Sequence, residues 1–262
     1  MVVFVMSQYF RYLSVDFRRL LKNPKFIIGI LGVTAMLFFS LEDSLFREGF
    51  GDGAVIFTYY NSVILSGFLI AYSFCALPFA TIYPEDWEHK YIRYSLIRGS
   101  LKAYVAAKAT VIYISALLAM IIGTLIFLLI CRTQVPWVNP ELGDSFEIFL
   151  QGNYSHLLKD GHVLLYCILF SIHLGFIAGF LANMASCCSV IISNTVLTLI
   201  FPALAYRMLC FVSIRGYSIL SLTAITKIFP EDWSNLLFML GISVVISALS
   251  AMGCYLGLKR KL

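Results

Sequence analysis

The stretch Tyr83–Lys108 reads YPEDWEHKYIRYSLIRGSLKAYVAAK and is densely charged, although strongly apolar runs lie on both sides of it. Pro84 and the acidic residues that come first suit an opening helical turn, where a missing N–H is tolerated and negative charge meets the positive end of the helix dipole. The basic residues follow, and Arg98-Gly99-Ser100 is typical of a helix stop and a new N-cap. The stretch therefore predicts a short charged helix, within residues 83–104, between two membrane spans.

The composition indicates an integral membrane protein. Of the 262 residues 60% are hydrophobic and 13% are charged, whereas a soluble domain carries roughly 25% charged residues. The net charge is +5, but the basic residues flank apolar runs, which indicates membrane topology and argues against nucleic-acid binding. The seven cysteines show no metal-ligand spacing, so we expect no metal site. Cys131 and Cys210 lie near predicted outer ends, and a disulfide between them stays open.

Hydropathy predicts an all-α polytopic membrane protein with one transmembrane domain, residues 1–262. Residues 1–25 predict a helix that lies along the membrane interface and ends at Asn23-Pro24, with a cytoplasmic tail helix as the alternative. The weakly apolar stretch 217–229 is too short and too rich in Ser and Thr to span, and it predicts a re-entrant or interfacial segment before the last span. The six predicted spans cover residues 26–41, 54–82, 105–131, 162–182, 188–208 and 236–258, with a tight turn at 183–187.

The distribution of basic residues predicts the orientation. With both termini inside, the inner segments hold 13 of the 19 Lys and Arg but only 4 of the 14 acidic residues. An excess of Lys and Arg marks the cytoplasmic side. Both termini and residues 83–104 are therefore expected to be cytoplasmic, and residues 132–161 and 209–235 extracellular.

The sequence lacks the motifs of several enzyme classes. It contains no G-x-x-x-x-G-K-[ST], H-E-x-x-H or G-x-S-x-G, which argues against nucleotide hydrolysis, a zinc hydrolase or a serine hydrolase in this chain. We therefore predict no catalytic residue. The predicted spans also lack a charged residue near mid-membrane, although ion-coupled carriers usually keep one there. For His173, alone in the fourth span, a hydrogen bond across the helix bundle is favoured over a proton relay.

A short sequence is nearly repeated. IYPEDW at 82–87 resembles IFPEDW at 228–233. The predicted topology puts the two copies on opposite sides of the membrane, and the two halves of the chain do not share a hydropathy pattern, as an inverted repeat requires. Shared helix-start chemistry, with Pro and acidic residues in the first turn, is the favoured interpretation.

The charged helix also carries an aromatic face. Trp87 and Tyr91 stand four residues apart, with Glu88 and His89 beside them, and such a face is an anchor that a groove on a cytoplasmic partner could bind. A solvated loop that its basic residues hold near the headgroups is the alternative interpretation.

These features resemble the membrane subunit of ABC-2 type ATP-binding-cassette exporters. The resemblance rests on Phe17-Arg18-Arg19-Leu20 and Lys22-Asn23-Pro24 before the first span, and on six spans with an apolar re-entrant stretch before the last. It also rests on a pattern around the charged helix: an acidic start, a basic helix, a small-residue turn and a Lys that opens the third span. The residues that match this pattern are Glu85, Glu88, Lys90, Arg98-Gly99-Ser100, Tyr104 and Lys108. It covers nearly the whole chain as architecture, but its motifs are confined to these segments.

The resemblance implies a permease in the plasma membrane, of bacterial origin, paired with a second membrane subunit that is identical or related. Two separately encoded ATPase subunits would bind ATP and Mg²⁺, while this chain would bind no cofactor and no nucleic acid. Residues 84–98 would be the coupling helix and Gln8–Lys22 the elbow helix. The ATPase contacts would be Glu85, Asp86, Trp87, Glu88, Lys90, Tyr91, Arg93 and Arg98.

The substrate path would follow the second and fifth spans, and polarity alone suggests Tyr59, Tyr60, Asn61 and Asn194 as its lining. The substrate class stays open among peptide, antibiotic, lipid and polysaccharide. Two other functions remain as alternatives: a stand-alone carrier or intramembrane enzyme, and a membrane scaffold or immunity-type protein that transports nothing.

Overall fold

The computed structural model describes residues 2–41, 54–64, 68–92, 94, 99–138, 152–192, 194–211, 213–214, 217–218 and 229–262. Helices make up almost all of the secondary structure in these ranges. The exception is an antiparallel pair of two-residue strands, β1 (Ser213–Ile214) and β2 (Tyr217–Ser218). The helices are α1 (Val2–Lys22), α2 (Pro24–Phe39), α3 (Val55–Ile64), α4 (Phe68–Ala76), α5 (Ile82–Glu88), α6 (Leu101–Arg132), α7 (Ser155–Lys159), α8 (Val163–Ile191), α9 (Thr195–Phe211) and α10 (Asp232–Lys261).

The chain turns sharply between α1 and α2. Asn23 has an extended backbone, and its side chain accepts a hydrogen bond from the Lys25 N–H, which caps α2 with Pro24 in the first turn. The axes of residues Met6–Lys22 and Pro24–Phe39 differ by 63°. The predicted break at Asn23-Pro24 is therefore confirmed, because Pro cannot continue a helix and Asn satisfies the freed donors.

Several helices could cross a membrane, as in a multi-pass membrane protein. Within the described ranges, α6, α8 and α10 are long and apolar enough by themselves, and the bent pair α1 and α2 could supply a fourth span. The apolar helix α9 is shorter, with 17 residues. The predicted second span, 54–82, contains α3 and α4, and residues 65–67 between them lie outside the described part.

Helix α8 lies at the centre of the bundle and packs against α4, α6, α9 and α10. It is one continuous helix from Val163 to Ile191, so the predicted turn at 183–187 is wrong. Residues 183–187 contain no Gly or Pro. The nearby hydroxyls bond within the helix, with Ser186 Oγ donating to the Asn183 carbonyl and Ser189 Oγ to the Ser186 carbonyl. The break comes at Ile192, which is extended, and Asn194 then caps α9.

The charged stretch is also divided differently from the prediction. Helix α5 ends at Glu88, and Lys90 follows in the left-handed region at φ 56°, so one helix does not continue to residue 98. Helix α6 begins at Leu101, four residues before the predicted third span. Its N-cap is the predicted Ser100, whose Oγ accepts a hydrogen bond from the Ala103 N–H.

The loops contain fewer described residues. Residues 139–151 and most of the predicted re-entrant stretch 217–229 lie outside the described part. All seven cysteines are described and are free thiols, so Cys131 and Cys210 are not joined.

Candidate functional site

A buried cluster of four charged side chains joins three helices at one end of the bundle. Asp16 and Arg19 come from α1, Asp86 from α5 and Lys108 from α6. The Lys108 Nζ lies 2.8 Å from both Asp16 Oδ1 and Asp86 Oδ2. Arg19 Nη2 donates to Asp86 Oδ1 at 2.9 Å. We call these four residues the ionic cluster.

Burial makes the ionic cluster energetically demanding. Lys108, Asp16 and Asp86 are 0%, 2% and 1% exposed, whereas the Arg19 side chain keeps 36% of its surface. Two cations balance two carboxylates, so the cluster is neutral as a whole. Buried ions repay their desolvation only when each is closely paired, and removal of one partner costs about 3–5 kcal/mol. The four groups therefore hold α1, α5 and α6 in one relative position.

Aromatic rings complete the surroundings of the Lys108 ammonium. The centroids of Phe79, Tyr91 and Tyr104 lie 5.3, 5.8 and 5.3 Å from Nζ. Tyr91 also lies 5.1 Å from the Arg19 guanidinium. Ring faces attract cations, most strongly where water is excluded. Two carboxylates and three aromatic rings thus surround the buried Lys108 ammonium.

Asp86 is the acid that all three helices share. Tyr104 donates its hydroxyl to Asp86 Oδ2 at 2.7 Å, in addition to the contacts with Lys108 and Arg19. Burial by itself raises the pKa of Asp86, but the two cations and the hydrogen bonds outweigh it and hold the pKa below its ordinary value. Asp86 is therefore ionised at neutral pH. Because its side chain is buried, it cannot contact a partner protein.

Further contacts connect α1 and α2 to the charged stretch. Lys25 pairs with Glu85, whose Oε1 also accepts a hydrogen bond from Thr81 at 2.7 Å. At the other end of α1, Gln8 Oε1 accepts the Ser100 N–H at 3.0 Å. Gly99 permits this approach, because a Cβ there would lie 2.0 Å from the Tyr12 hydroxyl. The turn before α6 is thus packed directly against α1.

The predicted ATPase contacts fall into two groups. Trp87, Glu88 and Lys90 are exposed and Glu85 is half-buried, so these side chains are accessible. Asp86 differs from its prediction because it is buried in the ionic cluster. Tyr91 does not share a helical face with Trp87, since the backbone breaks at Lys90 and the Tyr91 ring turns toward Arg19. Arg93 and Arg98 lie outside the residues whose side chains are described.

The structure does not bring the four predicted path residues together. Tyr59 is buried between Phe127 and Phe170, with ring centroids 6.4 and 5.6 Å away, whereas Tyr60 is half-buried and Asn61 is exposed. Asn194 accepts hydrogen bonds from the Val196 and Leu197 N–H groups, so it is a helix cap. At 1.5 Å per residue, Phe170 and the end of α8 beside Asn194 are separated by about 30 Å.

His173 makes a buried hydrogen bond of 2.8 Å, through Nε2, to the hydroxyl of Tyr154. This agrees with the predicted bonding role, although the partner precedes α7 and does not belong to another long helix. Within the described ranges, no three His, Cys, Asp or Glu side chains are grouped as metal ligands.

The sequence pattern did not predict the ionic cluster: it gave Asp16 no role, and Lys108 entered only as part of the family pattern. A signal for both was present, because Asp16 is the one acid among the basic residues of α1 and Lys108 follows Ala106 and Ala107 in an apolar helix. A lone charge among apolar residues implies a buried partner. The pairing itself joins residues 92 positions apart and has no local sequence signal.

Comparisons with known proteins add no relative. No family model, no curated protein and no solved structure matches this chain.

Proposed function

We propose that this chain is the membrane subunit of an ABC-2 type exporter. In this proposal six spans, formed by α2, α3 with α4, α6, α8, α9 and α10, cross a bacterial plasma membrane with both termini in the cytoplasm. Two copies of a cytoplasmic ATPase bind ATP and Mg²⁺ and drive a pair of membrane subunits. The substrate passes between those two subunits.

The ionic cluster is the observation that carries the proposal. A permease without its own ATPase must pass a movement of its cytoplasmic surface into its spans. Asp86 of α5 contacts Arg19 of α1 and two residues of α6, Lys108 and Tyr104. The three distances are 2.9, 2.8 and 2.7 Å. Because packed interiors deform little, a push on α5 reaches α6 and the elbow helix α1 together.

The outer side of α5 supports a partner contact. Trp87 is 38% exposed, and Glu88, His89 and Lys90 beside it are exposed. A cavity of about 220 Å³ adjoins Trp87, between Pro84 of α5 and the ends of α8 and α10 at Val190 and Leu258. An exposed Trp next to a recess is the kind of feature that becomes a hot spot in an interface. α5 thus offers one face to a partner and fixes the other face internally.

The test co-expresses this chain with the ABC ATPases of its source organism, one at a time, and purifies it in nanodiscs. We expect co-purification and ATP hydrolysis that depends on the membrane subunit. Trp87→Ala should weaken ATPase binding at least about thirtyfold, since hot-spot truncations cost about 2 kcal/mol or more. Trp233→Ala is the matched control, because Trp233 is 70% exposed at the start of α10 and should leave binding unchanged.

Failure of any ATPase to co-purify would reject the proposal. An unchanged affinity after Trp87→Ala would reject the assignment of α5 as the contact. If the ATPase binds but its hydrolysis rate is the same with and without this chain, the scaffold alternative is favoured.

A further inference from the structure

A groove of about 410 Å³ lies between α6 and α10, with α8 as its floor. Five of its nine lining residues are Ala or Val, and the hydroxyls of Thr110 and Tyr113 already have hydrogen-bond partners. The lining residues are Ala106, Ala109, Thr110, Tyr113, Asn183, Val244, Ser247, Ala248 and Ala251. All three helices are candidate membrane spans, and the α10 wall of the groove is exposed at Val244 and Ala248.

The ends of the groove are fixed by hydrogen bonds between helices. At one end the hydroxyls of Tyr113 and Ser243 are 2.7 Å apart, which joins α6 to α10. The Tyr113 ring lies directly on α8, because Gly179 has no side chain there and a Cβ would come within 2.6 Å of the ring. Toward the other end, Thr110 bonds to the Tyr9 hydroxyl of α1 at 3.0 Å. The space is therefore bounded by contacts that do not need a ligand.

Two buried polar atoms in the groove have no hydrogen-bond partner. Asn183 is 2% exposed, and its Nδ2 has no acceptor. Ser247 Oγ, on the facing wall, is likewise without a partner. An amide donor left unpaired away from water costs about 1–3 kcal/mol in proteins, and no water competes within hydrocarbon. The occupant must therefore supply a hydrogen-bond acceptor on an otherwise apolar body.

The depth of Asn183 identifies that acceptor. Helix α8 has 29 residues and is thus about 44 Å long, which exceeds a hydrocarbon core of about 30 Å by about 7 Å at each end. Asn183 lies eight residues, about 12 Å, from Ile191, so a bilayer centred on an upright α8 would put it about 5 Å below the hydrocarbon boundary. The ester carbonyls of a glycerophospholipid are the acceptors found at this level, between the headgroup and the acyl chains.

Basic residues lie at the matching end of the groove. Helices α6 and α10 are antiparallel along the groove, where Tyr113 pairs with Ser243. The start of α6, beyond Ala106, and the end of α10, beyond Ala251, therefore lie at the same end of the groove. Beyond these residues come the exposed Lys102 of α6 and Lys259 and Arg260 of α10. Cationic side chains near helix ends extend toward the phosphate layer.

We propose that the groove binds one glycerophospholipid from the bilayer. An acyl chain lies against the alanine-rich walls, an ester carbonyl accepts a hydrogen bond from Asn183 Nδ2, and the phosphate approaches Lys102. The site is separate from the ionic cluster and from α5, and it does not depend on the proposed transport function.

The experiment reconstitutes the full chain in nanodiscs that contain a phosphatidylglycerol with a photoactivatable acyl chain, and maps the crosslinks by mass spectrometry. Crosslinks should concentrate on the peptides that contain residues 106–113 and 244–251. Asn183→Leu, similar in size but without the amide, should lower labelling there about threefold to tenfold. Asn61→Leu is the control, because Asn61 is exposed outside the groove and labelling should not change.

A diether lipid, which lacks the ester carbonyls, provides the decisive comparison. In the wild-type protein it should label the groove about threefold to tenfold less than the diester lipid. In Asn183→Leu the two lipids should label it equally. Ala248→Leu enlarges a side chain on the exposed wall of the groove and should exclude both lipids without removing a polar group. This second variant tests the site even if Asn183→Leu does not fold.

Equal labelling by the two lipids in the wild-type protein would overturn the proposed carbonyl contact. Crosslinks spread evenly over the lipid-facing sides of α9 and α10 would overturn the site itself. Full labelling of the groove in Ala248→Leu would show that the chain does not enter it, and would also overturn the proposal.

Discussion

Two segments of nearly identical sequence, IYPEDW at residues 82–87 and IFPEDW at residues 228–233, occupy different surroundings. The first helix begins at Ile82, before its Pro, and the second begins at Asp232, after its Pro. Asp86 is 1% exposed and is bonded to Lys108, Arg19 and Tyr104. The Asp232 side chain is 13% exposed, and it pairs with His156, whose side chain is 60% exposed. The same six positions therefore start helices in different registers, and distant residues decide what each acid does.

The largest expected effect comes from removing the cation of the first segment. Lys108→Met leaves Asp16 and Asp86 buried beside each other without their shared ammonium, and it should lower the free energy of unfolding by about 3–5 kcal/mol. Chemical unfolding in detergent micelles measures this. Lys22→Met is the control, because Lys22 is exposed on α1 and its loss should change stability by less than about 0.5 kcal/mol. Equal effects of the two substitutions would contradict the ionic cluster.

The matched acids give the most direct comparison. Asp86→Asn removes hydrogen-bonded charge interactions with two cations and should cost about 2–3 kcal/mol. Asp232→Asn should cost less than about 1 kcal/mol, because its His156 partner is largely in water. Both variants are unfolded under the same conditions. A cost for Asp232→Asn as large as that for Asp86→Asn would show that the two segments do not differ as described.

A hydroxyl beside each segment provides a smaller comparison. Tyr104→Phe removes the buried hydrogen bond to Asp86 and should cost about 1.5–3 kcal/mol, as for hydrogen bonds to charged groups. Ser234 Oγ donates to Glu231 at 3.3 Å in an exposed position, so Ser234→Ala should change stability by less than about 0.5 kcal/mol. If Tyr104→Phe is also neutral, Asp86 does not need this donor.

The smallest expected effect is a pH dependence. The pKa of Asp86 is lower in the folded protein than its ordinary value, so its ionisation stabilises the fold above the unfolded-state pKa of about 3.9. That contribution is lost as the pH falls through the folded-state pKa. The unfolding free energy of the wild-type protein should therefore fall below about pH 4 more steeply than that of Asp86→Asn. Parallel curves for the two proteins would contradict the lowered pKa.

Local chemistry predicted some features of the fold correctly. Asn23-Pro24 ends α1 and Ser100 caps α6, because a Pro or a capping hydroxyl acts on its own neighbours in sequence. The two errors in helix limits have different causes. Residues 183–187 are polar enough to suggest a turn but contain no helix breaker, and Lys90 takes a left-handed conformation that its residue type does not favour.

The candidate site could be predicted only in part. The accessibility of Trp87 and Glu88 follows from the charge pattern of one helix, which is local information. The ionic cluster depends on the approach of α1 to α6, and nothing near Asp16 in sequence indicates which base it meets. Asn183 and the groove likewise require the relative positions of three helices.

The separation of the cluster in sequence has a consequence for biogenesis. Asp16 and Lys108 are 92 residues apart, and at a synthesis rate of about 5–20 residues per second the acid leaves the ribosome about 5–20 s before its base. During that interval Asp16 has only Arg19 of its own helix as a partner, at 3.6 Å, and lacks the buried Lys108 ammonium that joins α1 to α6. Synthesis of Lys108 is thus the step that fixes α1 against α6, and a nascent chain that stops before Lys108 lacks this contact.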